Sequence, residues 1–362
     1  MCHLRTVRVG EVWVIPQLSL SPEWAPVDMV PWATLVERER GTTFVALPIR
    51  SALNSPAATG MGFWSLNPYI GCEFGCTYCY ARRAHRYVME RARRAGRLDA
   101  QGLLEFRGPE GWEAFERKIL IKREIADVLA RTLAPAKMAG HTLVIGTATD
   151  PYQPAEQRFG LTRRVLEVLL RHRGLSIGLI TKSPLVTRDL HVFQQLSARH
   201  DLSVSLSIAM LDARLARRLE RRSPAPRARL RALRVLAAGG VHAGVFIAPI
   251  LPGITDRWAG LAALMTAAKE AGARYVVGSA LRLNSETRHR FLPFLMREFP
   301  ELAERYHRCY DSGASPRPSY ADAVMRRFRA LQQIHGFPVA DERQRQPPLA
   351  AASPGERQEM LL

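Results

Sequence analysis

The residues best suited to chemistry are three cysteines, Cys72, Cys76 and Cys79, which stand within eight residues of one another. Their spacing is C-x3-C-x2-C, and an aromatic residue, Tyr78, precedes the third. Thiolates are soft ligands, and a cube-shaped cluster has four irons to ligate. Three neighbouring thiolates leave the fourth iron free for a small molecule. The motif therefore predicts a [4Fe-4S] cluster with one open coordination site.

Two other uses of these cysteines compete with this interpretation. His85 follows Cys79 at a spacing near that of structural zinc sites. On that alternative, the chain is a zinc-stabilised nucleic-acid-binding protein without catalysis, and most of its length has no explanation. Disulfides are disfavoured, because the chain has five cysteines and three are too crowded to pair with one another.

Composition indicates a globular chain with a strong basic excess. The 362 residues are 47% hydrophobic and carry a net charge of +19. Such a charge favours a polyanionic partner such as nucleic acid, but an arginine excess also follows from genome base composition. Five arginines recur at helical spacing, namely Arg214, Arg217, Arg218, Arg221 and Arg222. They predict either a solvated helix face or a basic surface.

Neither export nor membrane insertion is indicated by the sequence. The first eight residues are not followed by an apolar signal segment, and no uncharged apolar run reaches roughly 18 residues. We therefore expect a cytoplasmic protein, whose reducing surroundings suit an oxygen-sensitive cluster.

Apolar runs and amphipathic stretches alternate along the chain from about residue 141. Strands are predicted at 141–146, 176–181, 202–208, 241–248 and from 275 onward. Helices are predicted at 161–173, 187–199, through the arginine run, at 226–238, and from a cap at Asp256 to Ala271. Repeated strand-helix units with apolar strands predict an α/β fold with a parallel sheet.

The cysteine motif resembles that of the radical S-adenosylmethionine (SAM) superfamily, and further runs resemble its spore photoproduct lyase-like, or DNA repair photolyase-like, branch. These runs are 67–69 before the cysteines, 80–82 and His85 after them, 149–156, 180–183 and 248–253. The resemblance covers residues 50 to 285. It implies a partial (β/α)6 TIM-like barrel at 63–284, whose first strand is 64–67 and whose cluster loop follows that strand. It also implies an N-terminal extension at 1–62, a C-terminal helical region at 285–340 and a disordered tail at 341–362.

The resemblance also implies the chemistry. SAM would chelate the open iron, and an electron from a donor such as flavodoxin or ferredoxin would cleave it to methionine and a 5'-deoxyadenosyl radical. That radical abstracts hydrogen from a substrate, which the sequence does not identify. Nucleic acid, a peptide and a small metabolite are all open, and the basic charge and the branch favour nucleic acid.

Five residues are expected to contact SAM. Tyr78 matches a position beside the adenine, or it packs in the core. Asp150 receives the SAM amino group or the ribose hydroxyls, or it caps a helix. Lys182, at a strand end, pairs with the SAM carboxylate, or it is a surface lysine. Ser205 and Ser207 share one face of a strand, and one of them binds the methionine moiety unless both bind backbone.

One departure from the branch concerns the reaction. Spore photoproduct lyase has a hydrogen-donating cysteine close before its Ser/Thr-Asp pair, and Ala148 stands there in this chain. Repair of spore photoproduct by that route is therefore not expected. Tyr152 is an alternative hydrogen donor, and Arg229 matches an arginine of the branch or lies at the surface.

Overall fold

The computed structural model describes residues 7–9, 12–14, 34–39, 41–96 and 113–339, so the predicted tail at 341–362 lies outside the described residues. The chain divides into two compact units, 1–31 and 32–362. In the first unit, strands β1 (Val7–Val9) and β2 (Val12–Val14) form an antiparallel pair. The remaining described elements belong to the second unit.

The second unit is built from strands and helices that alternate along most of its length. The strands are β3 (Thr34–Glu39), β4 (Thr42–Ala46), β5 (Leu53–Asn54), β6 (Trp64–Leu66), β7 (Tyr69–Ile70), β8 (Lys118–Ile121), β9 (Thr142–Ile145), β10 (Ser176–Thr181), β11 (Asp201–Ser207), β12 (Ala243–Ile250) and β13 (Val276–Ala280). The helices are α1 (Pro56–Thr59), α2 (Arg82–Arg94), α3 (Glu113–Arg117), α4 (Ile125–Thr132), α5 (Pro154–Phe159), α6 (Leu161–Leu169), α7 (Leu190–Ser197), α8 (Ala213–Leu219), α9 (Pro226–Ala238), α10 (Trp258–Glu270), α11 (Ser285–Glu298), α12 (Ala303–Cys309) and α13 (Pro318–Ile334). Short 3-10 turns lie at Pro135–Met138, Pro184–Asp189 and Pro300–Leu302.

The larger sheet has the strand order β13-β12-β11-β10-β9-β6-β5. Its six strands from β6 to β13 are all parallel, and only β5 is antiparallel. The sheet is held by apolar side chains such as Ile145, Leu179 and Val204, which are at most 1% exposed. The predicted parallel sheet and partial barrel are confirmed, and all six strands lie at their predicted places.

A smaller sheet, with the order β3-β4-β8-β7, was not predicted; β3, β4 and β7 precede the cysteines in the chain and β8 follows them. Strand β7 ends two residues before Cys72 and pairs antiparallel with β8, where Tyr69 lies opposite Ile121 and Ile70 opposite Leu120. This pairing fixes the direction in which the chain enters the cysteine loop.

The predicted five-arginine helix face is wrong. Asp212 caps α8 by accepting from the backbone N–H groups of Arg214 and Leu215, but the helix ends at Leu219, so Arg221 and Arg222 lie beyond it. Ser223 precedes Pro224, and a residue before proline avoids the helical conformation. The arginine run is therefore divided between a short helix and the turn that follows it.

The predicted cap at Asp256 is also wrong. Helix α10 begins at Trp258 without a side-chain cap. The Asp256 carboxylate instead accepts from Arg305 and from the Tyr320 hydroxyl, both at 3.1 Å. The Asp256 carboxylate therefore accepts from two side chains that are distant in sequence, whereas the sequence prediction paired it with backbone N–H groups of the helix.

Candidate active site

The cysteine loop follows β6 and β7 at the carboxyl end of the parallel sheet, where sites in such folds are usually found. Asn67 ties the end of β6 to the end of β9. Its Nδ2 donates to Thr147 Oγ1 at 2.9 Å, and its Oδ1 accepts from Ala148 N at 2.8 Å. The chain is thereby turned towards the cysteines beside the second parallel strand.

Two glycines are needed for the shape of the loop. Gly71 has φ +90°, and a Cβ there would lie 2.9 Å from the Phe115 carbonyl oxygen. Gly75 has φ +62°, and a Cβ there would lie 2.7 Å from Glu116 Oε2. Any larger residue would combine left-handed backbone strain with a collision. Each glycine directly precedes a cysteine, so the positions of Cys72 and Cys76 depend on them.

Gln153, fully buried, fastens the loop to the segment after β9. Its Nε2 donates to the Gly71 carbonyl at 3.2 Å and to Thr149 Oγ1 at 2.9 Å, while its Oε1 accepts from Glu73 N at 2.9 Å. The Glu73 carboxylate in turn accepts from Ala155 N, in the first turn of α5, at 2.7 Å. One amide therefore binds both donors and acceptors of the loop.

A buried ionic cluster holds the other side of the loop. Arg82 donates to the Cys76 carbonyl at 2.9 Å and to Glu116 Oε1 at 2.6 Å. Glu116, which is 4% exposed, also pairs with Arg222 at 3.0 Å and with Arg290 at 3.7 Å. Arginines from three parts of the chain therefore converge on one carboxylate beneath the cysteines.

The three thiols lie in a mostly apolar environment. Cys72 and Cys76 are buried and Cys79 is half-buried. Burial raises the pKa of all three, to about 12 for Cys76, so the free thiol is favoured until a metal replaces its proton. Among the described residues, no group of three or more His, Cys, Asp or Glu side chains is arranged to hold a single metal ion. A cubane needs a wider arrangement, because each thiolate binds a different iron.

A charged network lies beside Cys76. The carboxylate of Glu220 accepts from the Tyr78 hydroxyl on Oε1 and from Arg229 on Oε2. Lys182 Nζ lies 3.8 Å from Glu220 Oε1, and it donates to Ser207 Oγ at 2.8 Å. Burial opposes ionisation of Glu220, yet the charges of Arg229 and Lys182 keep its pKa below its usual range. Glu220 is therefore an ionised carboxylate that pairs with two cations, Arg229 and Lys182.

Asp150 is joined to the end of the next strand. Its Oδ1 accepts from Thr181 Oγ1 at 2.6 Å and from Tyr152 N at 2.9 Å, and its Oδ2 accepts from Lys182 N at 2.7 Å. Burial raises the pKa of Asp150. These bonds fix the backbone that carries Lys182, and α5 begins without a side-chain cap from Asp150.

The structure brings together four of the five expected SAM contacts. Tyr78, Lys182 and Ser207 belong to one network with Glu220, and Asp150 positions Lys182. Ser205 is separate, because its hydroxyl lies 2.9 Å from the Tyr275 hydroxyl. Strand alternation places both serines on one face, but it does not show which of them reaches the strand end.

Three other predicted side chains have definite partners. His85 Nε2 lies 3.1 Å from the Lys118 carbonyl oxygen, and the ring packs edge-on against Phe115, so the His85 ring is engaged by β8. The Tyr152 hydroxyl donates to Asp189 at 2.8 Å and is fully buried. Arg229 is 1% exposed, and the surface alternative for it is wrong.

Sequence reasoning missed Glu220, Gln153 and Glu116. Glu220 had one usable signal, since it is the single acidic residue within the arginine run 214–222. Glu116 had none, because its partners lie far away along the chain, and Gln153 lies within the run 149–156 but nothing there singles it out.

Comparisons with known proteins agree with this geometry. Residues 66–265 match the family model of the Radical SAM superfamily. An uncharacterized protein of Mycobacterium tuberculosis is 33% identical over 315 residues, which cover 86% of each chain. One of Methanocaldococcus jannaschii is 29% identical over 191 residues, covering 53% of this chain and 61% of that protein. The chain belongs to the radical SAM superfamily.

Solved structures of spore photoproduct lyase have a similar fold. A variant with dinucleoside spore photoproduct has a TM-score of 0.55 and 15% identity, covering 81% of this chain and 79% of that chain. Another, with bound AdoMet and dinucleoside spore photoproduct, has a TM-score of 0.53 and 14% identity over the same shares. The predicted fold class is thus confirmed.

Superfamily membership makes this chain an enzyme that uses a [4Fe-4S] cluster and SAM. The residues present fit the cluster, because its irons need soft sulfur ligands and one loop holds three thiols. The zinc interpretation is set aside, since it offers no account of the family. In the part of the chain that the structure describes, none of the helices combines the length and the apolar character that crossing a bilayer needs.

Proposed function

We propose that Cys72, Cys76 and Cys79 hold three irons of the cluster and leave the fourth to SAM. When bound and reduced by an external one-electron donor, the cluster would supply the electron for cleavage of SAM to methionine and a 5'-deoxyadenosyl radical. The observation that carries the proposal is the anchored loop, in which Gln153 binds the backbone on both sides of Cys72 and Arg82 binds the carbonyl of Cys76. A ligand loop held in this way keeps its three thiols at fixed positions.

Lys182 is the residue we assign to the SAM carboxylate. Its ammonium lies between Ser207 and Glu220, 5.8 Å from the centre of the Tyr78 ring, and its side chain is 14% exposed. Arg229 is the direct partner of Glu220, whereas the Lys182 ammonium lies 3.8 Å from that carboxylate, so Lys182 can engage an additional carboxylate. Ser207 adds a hydroxyl for the methionine moiety, and Ser205 is assigned to strand packing instead.

Tyr78 is assigned to the adenine side of SAM. Its hydroxyl is bound to Glu220, which fixes the ring orientation beside the third cysteine. Asp150 acts as a positioning residue, because both of its oxygens accept from the segments next to Lys182 and Tyr152. We therefore assign Asp150 no direct contact with SAM, in place of the contact expected from the sequence.

The substrate we propose is a nucleic acid, from which the radical abstracts hydrogen. The net charge of +19 supports a polyanionic substrate. Ala148 stands where the resemblance places a hydrogen-donating cysteine, so the fate of the substrate radical differs from that in spore photoproduct lyase.

The test is anaerobic reconstitution with iron and sulfide, followed by SAM and dithionite. We expect about four irons per chain and release of 5'-deoxyadenosine. A colourless protein that binds one zinc would contradict the cluster assignment. For the substrate, we expect oligonucleotide binding that weakens as salt rises, and binding that ignores salt would count against a nucleic acid.

A further inference from the structure

We propose that an arginine-rich groove beside the cysteine loop is the docking site for an acidic one-electron donor protein of the flavodoxin type. The inference rests on the proposed function, because it concerns delivery of the electron that SAM cleavage consumes. The groove lies between α2 and the first turn of α11. Its charged lining is Arg83, Arg86, Glu90, Arg91, Arg94 and Glu286.

One end of the groove lies next to the third cysteine. Thr287 Oγ1 donates to the Cys79 carbonyl at 3.2 Å, and Asn284 Nδ2 donates to the Tyr80 carbonyl at 3.1 Å. Ser285 and Glu286, which stand between these two donors in the chain, line the groove. Cys79 is also the least buried of the three cysteines. Electron transfer weakens steeply with distance, so a donor protein gains from docking at this surface.

The charge of the groove suits an acidic partner. Arg86 binds both acidic residues, Glu90 at 2.6 Å and Glu286 at 3.2 Å. Among the described residues that line the groove, there are four arginines and two glutamates, and Arg83 and Arg94 are exposed on α2. A surplus of positive charge on an open surface speeds the encounter with a negatively charged protein.

The size of the groove argues against a small-molecule site. Its volume is about 240 Å³, below the roughly 300 Å³ at which ligand pockets begin. Arginines also attract nucleic-acid phosphates, but the position behind Cys79 favours a partner that exchanges electrons. A nucleic acid is therefore treated as an outcome of the test.

The test compares two double variants of the reconstituted holoenzyme. Arg83→Glu with Arg94→Glu reverses the charge of the groove. Arg234→Glu with Arg274→Glu is the matched control, because these arginines are also exposed and line a groove. Arg274 N donates to the carbonyl of Ala243, the first residue of β12, so the control lies at the amino end of the sheet. The probe is an acidic flavodoxin, used for binding measurements and, when reduced, as electron donor.

We expect the groove variant to raise the Kd for flavodoxin about tenfold or more at low salt. We expect release of 5'-deoxyadenosine with reduced flavodoxin to fall in proportion, while the rate with dithionite stays within about twofold, since dithionite needs no docking site. Added salt should weaken flavodoxin binding to the wild-type protein and to the control. The control should behave as wild type with both reductants.

Unchanged flavodoxin affinity in the groove variant would overturn the inference. So would a selective loss of affinity for a single-stranded oligonucleotide, which would make the groove a nucleic-acid site. If the Glu variant loses dithionite activity, Arg83→Gln with Arg94→Gln replaces it. An affinity of this Gln variant for flavodoxin equal to that of the wild-type protein would then overturn the inference. Failure of the wild-type protein to cleave SAM with either reductant would refute the proposed function, and the binding measurement still decides the docking site.

Discussion

The Tyr78 hydroxyl donates to Glu220, and this bond joins the cysteine loop to the turn after α8. The same carboxylate accepts from Arg229, and Glu220 is 2% exposed. Sequence places these residues about 140 positions apart, whereas the fold makes them neighbours beside Cys76. Glu220 is therefore the residue on which the charge balance of the site depends.

Replacing Glu220 by glutamine should destabilise the protein strongly. The variant leaves Arg229 and Lys182 without their buried counter-charge, and breaking a buried pair in this way costs about 3–5 kcal/mol. Urea unfolding measures the loss in the free energy of unfolding. Glu298→Gln is the control, because its partner Arg218 is well exposed, and we expect it to change unfolding far less. Equal effects of the two substitutions would contradict the role of Glu220.

Replacing Lys182 by methionine should weaken SAM binding while the chain stays folded. The variant keeps the apolar stem and removes the ammonium, so we expect the KM for SAM to rise by about tenfold or more, as for loss of one charge-assisted contact. Steady-state release of 5'-deoxyadenosine measures it. Lys269→Met, on the exposed surface, should leave the KM unchanged. An unaltered KM in the Lys182 variant would remove Lys182 from the SAM site.

Single alanine substitutions of the three cysteines should each abolish SAM cleavage. Every substitution leaves one iron without its thiolate, so we also expect iron content to fall well below the roughly four irons of the complete cluster. Cys309→Ala is the control, because Cys309 lies in α12, outside the cysteine loop. Retained activity in any purified variant of the triplet would contradict the ligand assignment.

Gly71→Ala should be more damaging than Gly140→Ala. Both glycines have positive φ, +90° and +74°, so both substitutions incur left-handed strain of about 1–2 kcal/mol. Only Gly71 adds a collision, with the Phe115 carbonyl oxygen at 2.9 Å, while nothing lies within 4 Å of the Gly140 site. Overpacking of this kind adds about 1–3 kcal/mol. Urea unfolding and iron content of the two variants measure the difference, and equal losses would show that the collision is harmless.

His85 should make stability fall with acidification. Burial lowers its pKa from 6.5 to about 4, so the folded protein keeps His85 neutral while the unfolded chain is protonated below pH 6.5. Stability is therefore complete above pH 6.5 and is lost as the pH falls towards 4, by about 1.4 kcal/mol per pH unit at most. The difference in urea unfolding between wild type and His85→Gln, taken at pH 7 and pH 5, isolates this contribution. A difference that does not change with pH would refute it.

The sequence predicted the parallel sheet well, because its strands are apolar and regularly spaced. Strands β9, β10, β12 and β13 are mainly apolar, and β11 alternates apolar residues with serines. Amphipathic helices separate these strands, so the pattern can be detected locally. The part of the smaller sheet next to the cysteines was missed because β7 has only two residues. It is a strand only because it pairs with β8, about 50 residues later in the chain. Short strands of this kind have no period to detect.

Within the site, local motifs were predictable and their partners were not. The cysteines, Lys182 and Ser207 could be proposed from motif and strand position. The role of Glu220 could not be predicted, because the predicted helix continued through the arginine run, whereas α8 ends at Leu219 and the turn after it buries Glu220. The choice between Ser205 and Ser207 likewise depends on Tyr275, whose hydroxyl binds only the first.

The hydrogen bonds from Gln153 to the cysteine loop affect how the cluster is assembled. Its amide binds Gly71 and Glu73, so part of the conformational entropy of this segment is lost when the chain folds around Gln153. Binding of iron and sulfide would then need to order less of the loop than it would without these bonds. Loading of the metal is therefore coupled to folding of a segment about 80 residues away from the cysteines.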